Sequence, residues 1–192
     1  MTQVDPVRAE LLTLLRAKSV FHGDFTLASG AKSKFYFDCR LTTMDGQGAT
    51  LVGQLMHALI RREATARHVR IDAVGGLTMG ADPIALSVAI RSALERDTHP
   101  LHAFTVRKAP KAHGQTRLIE GNFKPGHTVV VIDDVVTRGD STLAAIDAVV
   151  KEGGTVAFVV VLVDRQEGGR AKIEERGHPV FALFTRDELL SL

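Results

Sequence analysis

"VVVIDDVVTRGDST", residues 129–142, runs four apolar residues into two adjacent carboxylates and then into a turn rich in hydroxyls. The apolar run predicts a buried strand over 129–132, with Asp133 and Asp134 at its carboxyl end and "TRGDST" wrapping into the next helix. That arrangement suits a phosphate. Backbone N–H groups, the Thr137, Ser141 and Thr142 hydroxyls and the helix dipole can converge on an anion, while Gly139 permits a tight turn. The two acids would then hold what accompanies the phosphate, either sugar hydroxyls or a magnesium ion. A purely structural reading makes Asp140 or Ser141 a helix cap and the acid pair a solvated loop start. Function is the better account, because a carboxylate pair behind a fully apolar strand is costly unless something balances it. The G-x-x-x-x-G-K-[ST] spacing of a Walker-type loop is missing.

Outward from this stretch, strand-like and helix-like runs alternate. Helical spacing covers 6–18, 47–62, 83–96 and 141–151. Strand patterns cover 34–42, 71–76, 101–106, 127–132, 156–163 and 179–184. The interior runs are nearly continuous in Val, Ile, Leu and Phe, as expected of a mainly parallel sheet covered by helices on both faces. The fold class is therefore α/β, a three-layer single domain over 1–192. In such folds ligands bind at the carboxyl ends of the strands.

The 192 residues carry 45% hydrophobic and 24% charged side chains, enough for one real core. No apolar run approaches a membrane span, and MTQVDPVRAE lacks the order of a signal peptide, so a cytoplasmic protein is expected. Cys39 is the single cysteine, which excludes an intrachain disulfide and reads as a small strand residue. A net charge of +2 gives no general attraction to nucleic acid. The eight histidines show no metal-ligand spacing, and His22, His57 and His178 read as packing or surface residues.

Three further loops bear on chemistry. In "VRKAPKAHGQTRLIEG", 106–121, the cations Arg107, Lys108, Lys111, His113 and Arg117 face one acid, Glu120, with Gly114 and Gly121 as hinge positions. Such a loop can close over a polyanion, or it can be ordinary solvated surface or a non-specific grip on nucleic acid. "VGGLTMGADPIA", 74–85, offers N–H groups after a strand, or a plain strand-to-helix turn. In "LVDRQEGGR", 162–170, Arg165 follows an apolar strand and reads as a surface arginine or a partner for Asp164. "FTLASGAKSKFYFDCR", 25–40, is a Ser-Gly turn entering an aromatic strand whose Phe35, Tyr36 and Phe37 read as packing residues.

The stretch 129–142 resembles the phosphoribosyl diphosphate signature of the type I phosphoribosyltransferases. Within that superfamily, the order R-K-x-x-K-x-H-G followed by I-E-G is similar to the mobile catalytic loop of the orotate phosphoribosyltransferases, and Ser29, Gly30, Ser33, Tyr36, Asp38 and Arg40 match their orotate-pocket segment. The resemblance spans roughly 20–190 and implies the type I fold, with a small hood to which 1–45 contribute and a mobile loop at 107–121. It implies transfer of a phosphoribosyl group from phosphoribosyl diphosphate to orotate in pyrimidine biosynthesis, with Mg2+ held mainly by substrate oxygens near Asp133 and Asp134.

The implied catalytic residues are Lys111, His113, Arg107, Lys108, Asp133 and Asp134. The implied substrate contacts are Asp133, Asp134, Thr137, Arg138, Gly139, Asp140, Ser141 and Thr142 for the ribose and 5-phosphate, with Arg165, Tyr36, Phe37, Ser29 and Gly30 for orotate. A homodimer whose loop reaches the neighbouring site follows from the same resemblance, with neither nucleic acid nor membrane as partner. Ala28 and Gly80 depart from lysines that some members carry there, and Lys32 or Lys34 are the candidates to replace the first. A purine phosphoribosyltransferase would share the 129–142 signature, and a non-catalytic regulator that binds phosphoribosyl diphosphate would share the basic loop.

Overall fold

The computed structural model describes residues 5–26, 32–109 and 118–191. After helix α1 (Pro6–Ser19), strands β1 (Val20–Thr26) and β2 (Lys32–Phe37) pair antiparallel as a separate two-stranded sheet. Then come α2 (Arg40–Thr43), α3 (Gly46–Ala66), β3 (Ala73–Leu77), α4 (Ala81–Leu94), β4 (His102–Val106) and β5 (Ile119–Gly121). The chain continues through β6 (Thr128–Val136), α5 (Asp140–Lys151), β7 (Thr155–Asp164), α6 (Gly169–Glu174), β8 (Val180–Thr185) and α7 (Arg186–Leu190). The main sheet has the order β5-β4-β3-β6-β7-β8 and is parallel throughout except for β5, which runs antiparallel to β4.

Both faces of this sheet are buried, which is why its strands read as unbroken apolar runs. On β6, Val130 and Ile132 pack toward one core with Leu11 and Leu15 of α1, Met56 and Ile60 of α3 and Ile84 and Val88 of α4. Val129 and Val131 point the other way, into a second core with Leu143, Ile146 and Val149 of α5. Each of these fully buried side chains contributes about 1.5–3 kcal/mol relative to exposure.

Three boundaries differ from the sequence expectation. The 34–42 strand ends at Phe37, and Arg40–Thr43 turn into α2, so buried Cys39 caps a helical turn and is not a strand residue. The loop placed at 107–121 is shorter, because Ile119–Gly121 form an edge strand and Arg107 N donates to Leu118 O at 2.8 Å to close its base. Gly121, read as a hinge, is a packing glycine at φ +93°, where a Cβ would lie 2.8 Å from Ala103 O. Finally, β6 continues to Val136, since ten-residue β7 offers it partners as far as Asp164. Asp133 and Asp134 therefore sit within the strand, not beyond it.

Candidate active site at the carboxyl edge of the sheet

Strand alternation sends the two acids to opposite faces. Asp133 follows Val129 and Val131 toward α5, where its Oδ2 accepts a 2.7 Å hydrogen bond from Thr142 Oγ1. Asp134 follows Val130 and Ile132 toward α4, where a Cβ added at Gly80 would come within 2.3 Å of its Oδ1. Gly80 is thus the residue that lets the β3–α4 turn close onto the carboxylate, and any side chain at this position would require Asp134 to move. The pair straddles the sheet edge, with one acid beside the 137–142 turn and the other beside the 78–80 turn.

Neither acid has an ion-pair partner among the described residues. Burial, followed by the neighbouring Asp134 charge, pushes Asp133 up to about 7. Asp134 is raised too, chiefly by burial, while the Asp133 hydrogen bond and the more distant Arg40 charge oppose the rise. Burial and the charges of Asp134, Asp38 and Asp133 also push the Cys39 thiol up, which makes it a poor nucleophile.

A cleft of about 340 Å³ opens beside Asp133, lined by Tyr36, Val135, Val136, residues 137–142, Arg165 and Glu167. It gathers most of the described residues assigned to substrate. Gly139 adopts φ +79° and leads directly into α5, so the helix N-terminus faces the cleft. The turn is braced from behind: Gly169 N donates to Thr137 O at 2.9 Å, and a Cβ on Gly169 would stand 2.6 Å from that oxygen. The Asp140 carboxylate pairs with Lys172 of α6, which lowers its pKa, and the Thr142 hydroxyl is committed to Asp133. Ser141 and Arg138 remain exposed at the mouth.

Arg165 is not the surface residue, nor the partner of Asp164, that its position in the sequence predicts. Only 8% exposed, it pairs with Glu167 at 2.7 Å and lies 5.3 Å over the Phe37 ring. Phe37 is therefore a floor beneath the arginine, whereas Tyr36 reaches the cleft and packs on Phe25 at 5.6 Å. Lys34 is engaged by Asp24 across the hairpin.

Gly75 and Gly76 lie buried inside β3, so only the turn after Leu77 can offer N–H groups to a ligand. That turn is anchored by Asp82, which accepts from Thr78 Oγ1 at 2.6 Å and Thr105 Oγ1 at 2.9 Å. Arg107 leaves β4 at the same edge, 3.7 Å from Glu120, with Lys108 next to it. Ser29, Gly30, Lys111 and His113 lie outside the described residues. Sequence reasoning missed Glu167 and Asp82. The first sits two residues after Arg165 as an opposite charge before a Gly-Gly turn, a signal that was available; the second resembles an ordinary first-turn acid.

No family model matches the chain. It is 42% identical over 186 residues to the orotate phosphoribosyltransferase of Aquifex aeolicus (strain VF5), covering 95% of this chain and 97% of that protein. The crystal structure of Mycobacterium tuberculosis H37Rv orotate phosphoribosyltransferase in complex with Fe(III) dicitrate superposes with a TM-score of 0.82 at 39% identity, covering 97% of this chain and 100% of the other. The same protein in complex with 5-phospho-alpha-D-ribosyl 1-diphosphate gives 0.77 at 35% identity, covering 96% and 99%. With that identity sustained over nearly the whole length, and the acid pair, hydroxyl-rich turn and buried arginine gathered at one sheet edge, the chain belongs to the orotate phosphoribosyltransferases.

Proposed function

We propose that the carboxyl edge of β3, β6 and β7 is where this enzyme transfers the phosphoribosyl group of phosphoribosyl diphosphate to orotate, giving orotidine 5-monophosphate and diphosphate. The observation that carries this assignment is the cleft that holds Asp133, the 137–142 turn and Arg165 together. The 5-phosphate sits on the turn, where backbone N–H groups and the α5 N-terminus face it. Asp133 and Asp134 accept from the ribose hydroxyls. The orotate carboxylate pairs with Arg165, whose planar fork suits a bidentate contact. As the bond from ribose C1 to diphosphate breaks and that to the orotate nitrogen forms, positive charge develops on the sugar beside two carboxylates. Arg107, Lys108, Lys111 and His113 meet the departing diphosphate, so the catalysis is positional and electrostatic.

Magnesium fits this site only as a complex with substrate. Among the described residues no cluster of three His, Cys, Asp or Glu can hold a metal. Asp133 and Asp134, which have no paired cation among the described residues, would be the carboxylates beside such an ion, and substrate oxygens and water would supply most of its ligands. When bound, the ion neutralises diphosphate charge.

A homodimer in which the basic segment between β4 and β5 reaches the neighbouring site completes the reading. It is supported by an apolar face on α4, where Leu86, Ile90 and Leu94 are 56%, 53% and 72% exposed at a spacing of four, close in sequence and surface character to exposed Met79. Among the described residues no helix is long and apolar enough to cross a membrane, and a cytoplasmic location is proposed with the rest.

Subunit complementation tests the shared site. Lys111→Ala and Arg165→Ala should each reduce turnover far more than stability, and mixing them should restore part of the activity, because a hybrid dimer holds one site with both residues intact. Absence of restored activity in verified hybrids would refute a site shared between subunits. Orotate turnover that survives removal of magnesium would refute the role of the ion.

A further inference from the structure

Arg165 is buried to an extent that requires an anion beside it, because an unpaired guanidinium in such a position is strongly disfavoured. The anion present is Glu167. Asp164 Oδ1 accepts from Gln166 N at 2.7 Å, Gln166 adopts φ +57° and Gly168 φ +88°, so the chain folds back on itself directly after β7. This turn brings Glu167 Oε1 to 2.7 Å from Arg165 Nη2. The neighbouring Nε, on the same edge of the fork, is buried and has no hydrogen-bond partner. One oxygen thus holds one corner of an edge built for two.

A planar carboxylate that reads Nε and Nη2 together must take Nη2 from Glu167. Glu167 can yield, since its side chain is 32% exposed and solvent lies behind it, while the Arg165 side chain is only 10% exposed and rests on Phe37. We propose that Glu167 is a positioning residue that acts through Arg165 as an exchangeable internal carboxylate. It neutralises the arginine while the cleft is empty, gives it up to the carboxylate of orotate, and takes it back as the carboxylated product leaves. This rests on the assignment of Arg165 to the substrate carboxylate. Its consequence is that Glu167 weakens binding of carboxylated ligands and has no effect on the same ligands without the carboxylate.

The product and its decarboxylated counterpart isolate that one group. Titration calorimetry would measure orotidine 5-monophosphate and uridine 5-monophosphate against the intact protein, Glu167→Gln and Arg165→Ala, each variant first checked by thermal melting. Glu167→Gln should tighten orotidine 5-monophosphate by about two- to fivefold, the range of a partly exposed ion pair, and leave uridine 5-monophosphate unchanged. Arg165→Ala should erase the preference between the two. If Arg165→Ala erases it but Glu167→Gln weakens or does not alter orotidine 5-monophosphate binding, the exchange is refuted while the arginine assignment stands. If Arg165→Ala preserves the preference, the arginine assignment itself fails. Glu167→Ser, which is shorter and uncharged, should behave as Glu167→Gln does; tightening by glutamine alone would assign the effect to a new amide contact and overturn the exchange.

Discussion

Two clusters of polar side chains lie at opposite ends of the sheet, and they treat a carboxylate in opposite ways. At the amino-terminal edge, between α4 and β4, Asp97 Oδ2 meets His57 Nε2 at 2.8 Å, Arg61 Nε at 3.0 Å and Ser92 Oγ at 2.6 Å. Burial alone would raise this acid, but the Ser92, His57 and Arg61 hydrogen bonds together hold it at about 2. At the carboxyl edge, Asp133 has one hydroxyl and one backbone N–H for partners, an acid next to it, and a value near 7. The first carboxylate is fully answered from within the chain. The second receives two hydrogen bonds but no positive charge from within the chain, and that contrast, more than the count of charges, separates a structural acid from a functional one.

Asp133→Asn tests the contrast most severely. The amide is nearly the same shape, and the Thr142 hydroxyl can reverse its hydrogen bond to accept from it. Turnover should fall by about a hundredfold or more, since a charge beside the developing cation is lost. The metal-free variant should nevertheless melt higher than the parent at about pH 8. An acid whose folded value is raised stabilises the fold below its unfolded value and loses that contribution as pH rises through about 7, so the gap in melting temperature should widen from about pH 5 to pH 8. A lower melting temperature at the higher pH would mean that the acid pair is compensated after all.

Gly169→Ala carries the comparison to the backbone. The added methyl would stand 2.6 Å from Thr137 O and 2.7 Å from Gly139 N, so the 137–142 turn must shift. A cost of about 1–3 kcal/mol in stability is expected, with a rise of about tenfold in KM for phosphoribosyl diphosphate and a smaller one for orotate. An unchanged KM would show that the brace does not set the shape of the turn.

Much of this was legible in the sequence, and for a physical reason. The sheet strands are buried on both faces and therefore announce themselves as apolar runs, and the acid pair stands out because it interrupts one of them. β1, "VFHGDFT", was not legible, because it pairs only with β2 and all seven of its residues lie exposed or partly so without alternation. β5, α6 and α7 are too short for a period to appear. Arg165, Asp133 and the Thr142 hydroxyl were seen, but the pairing of Arg165 with Glu167 and of Thr142 with Asp133 was not, since such pairings depend on how a turn folds back and on which face a strand residue takes. The basic segment could be recognised by composition, yet Lys111 and His113 lie outside the described residues.

Asp97→Asn is the smallest of these effects and completes the contrast. The amide keeps one oxygen for the three donors but removes the negative charge that Arg61 and His57 share, so about 1–2 kcal/mol of stability should be lost near neutral pH. Here the sign with pH is the reverse of that at Asp133. A carboxyl held below its unfolded value stabilises the fold above about pH 4, and that contribution disappears as pH falls toward about 2, so variant and parent should converge in acid where Asp133→Asn and its parent diverge in base. The kcat and both KM values should not change, because the cluster joins α3 and the end of α4 at the sheet edge away from the cleft. A change in KM for either substrate would connect the two edges through the 14 residues of α4, which follows Gly80 and carries Asp82 in its first turn and Ser92 near its end. Stability that fell without any change in kinetics would instead establish that the fold keeps its satisfied acid and its unsatisfied one mechanically independent.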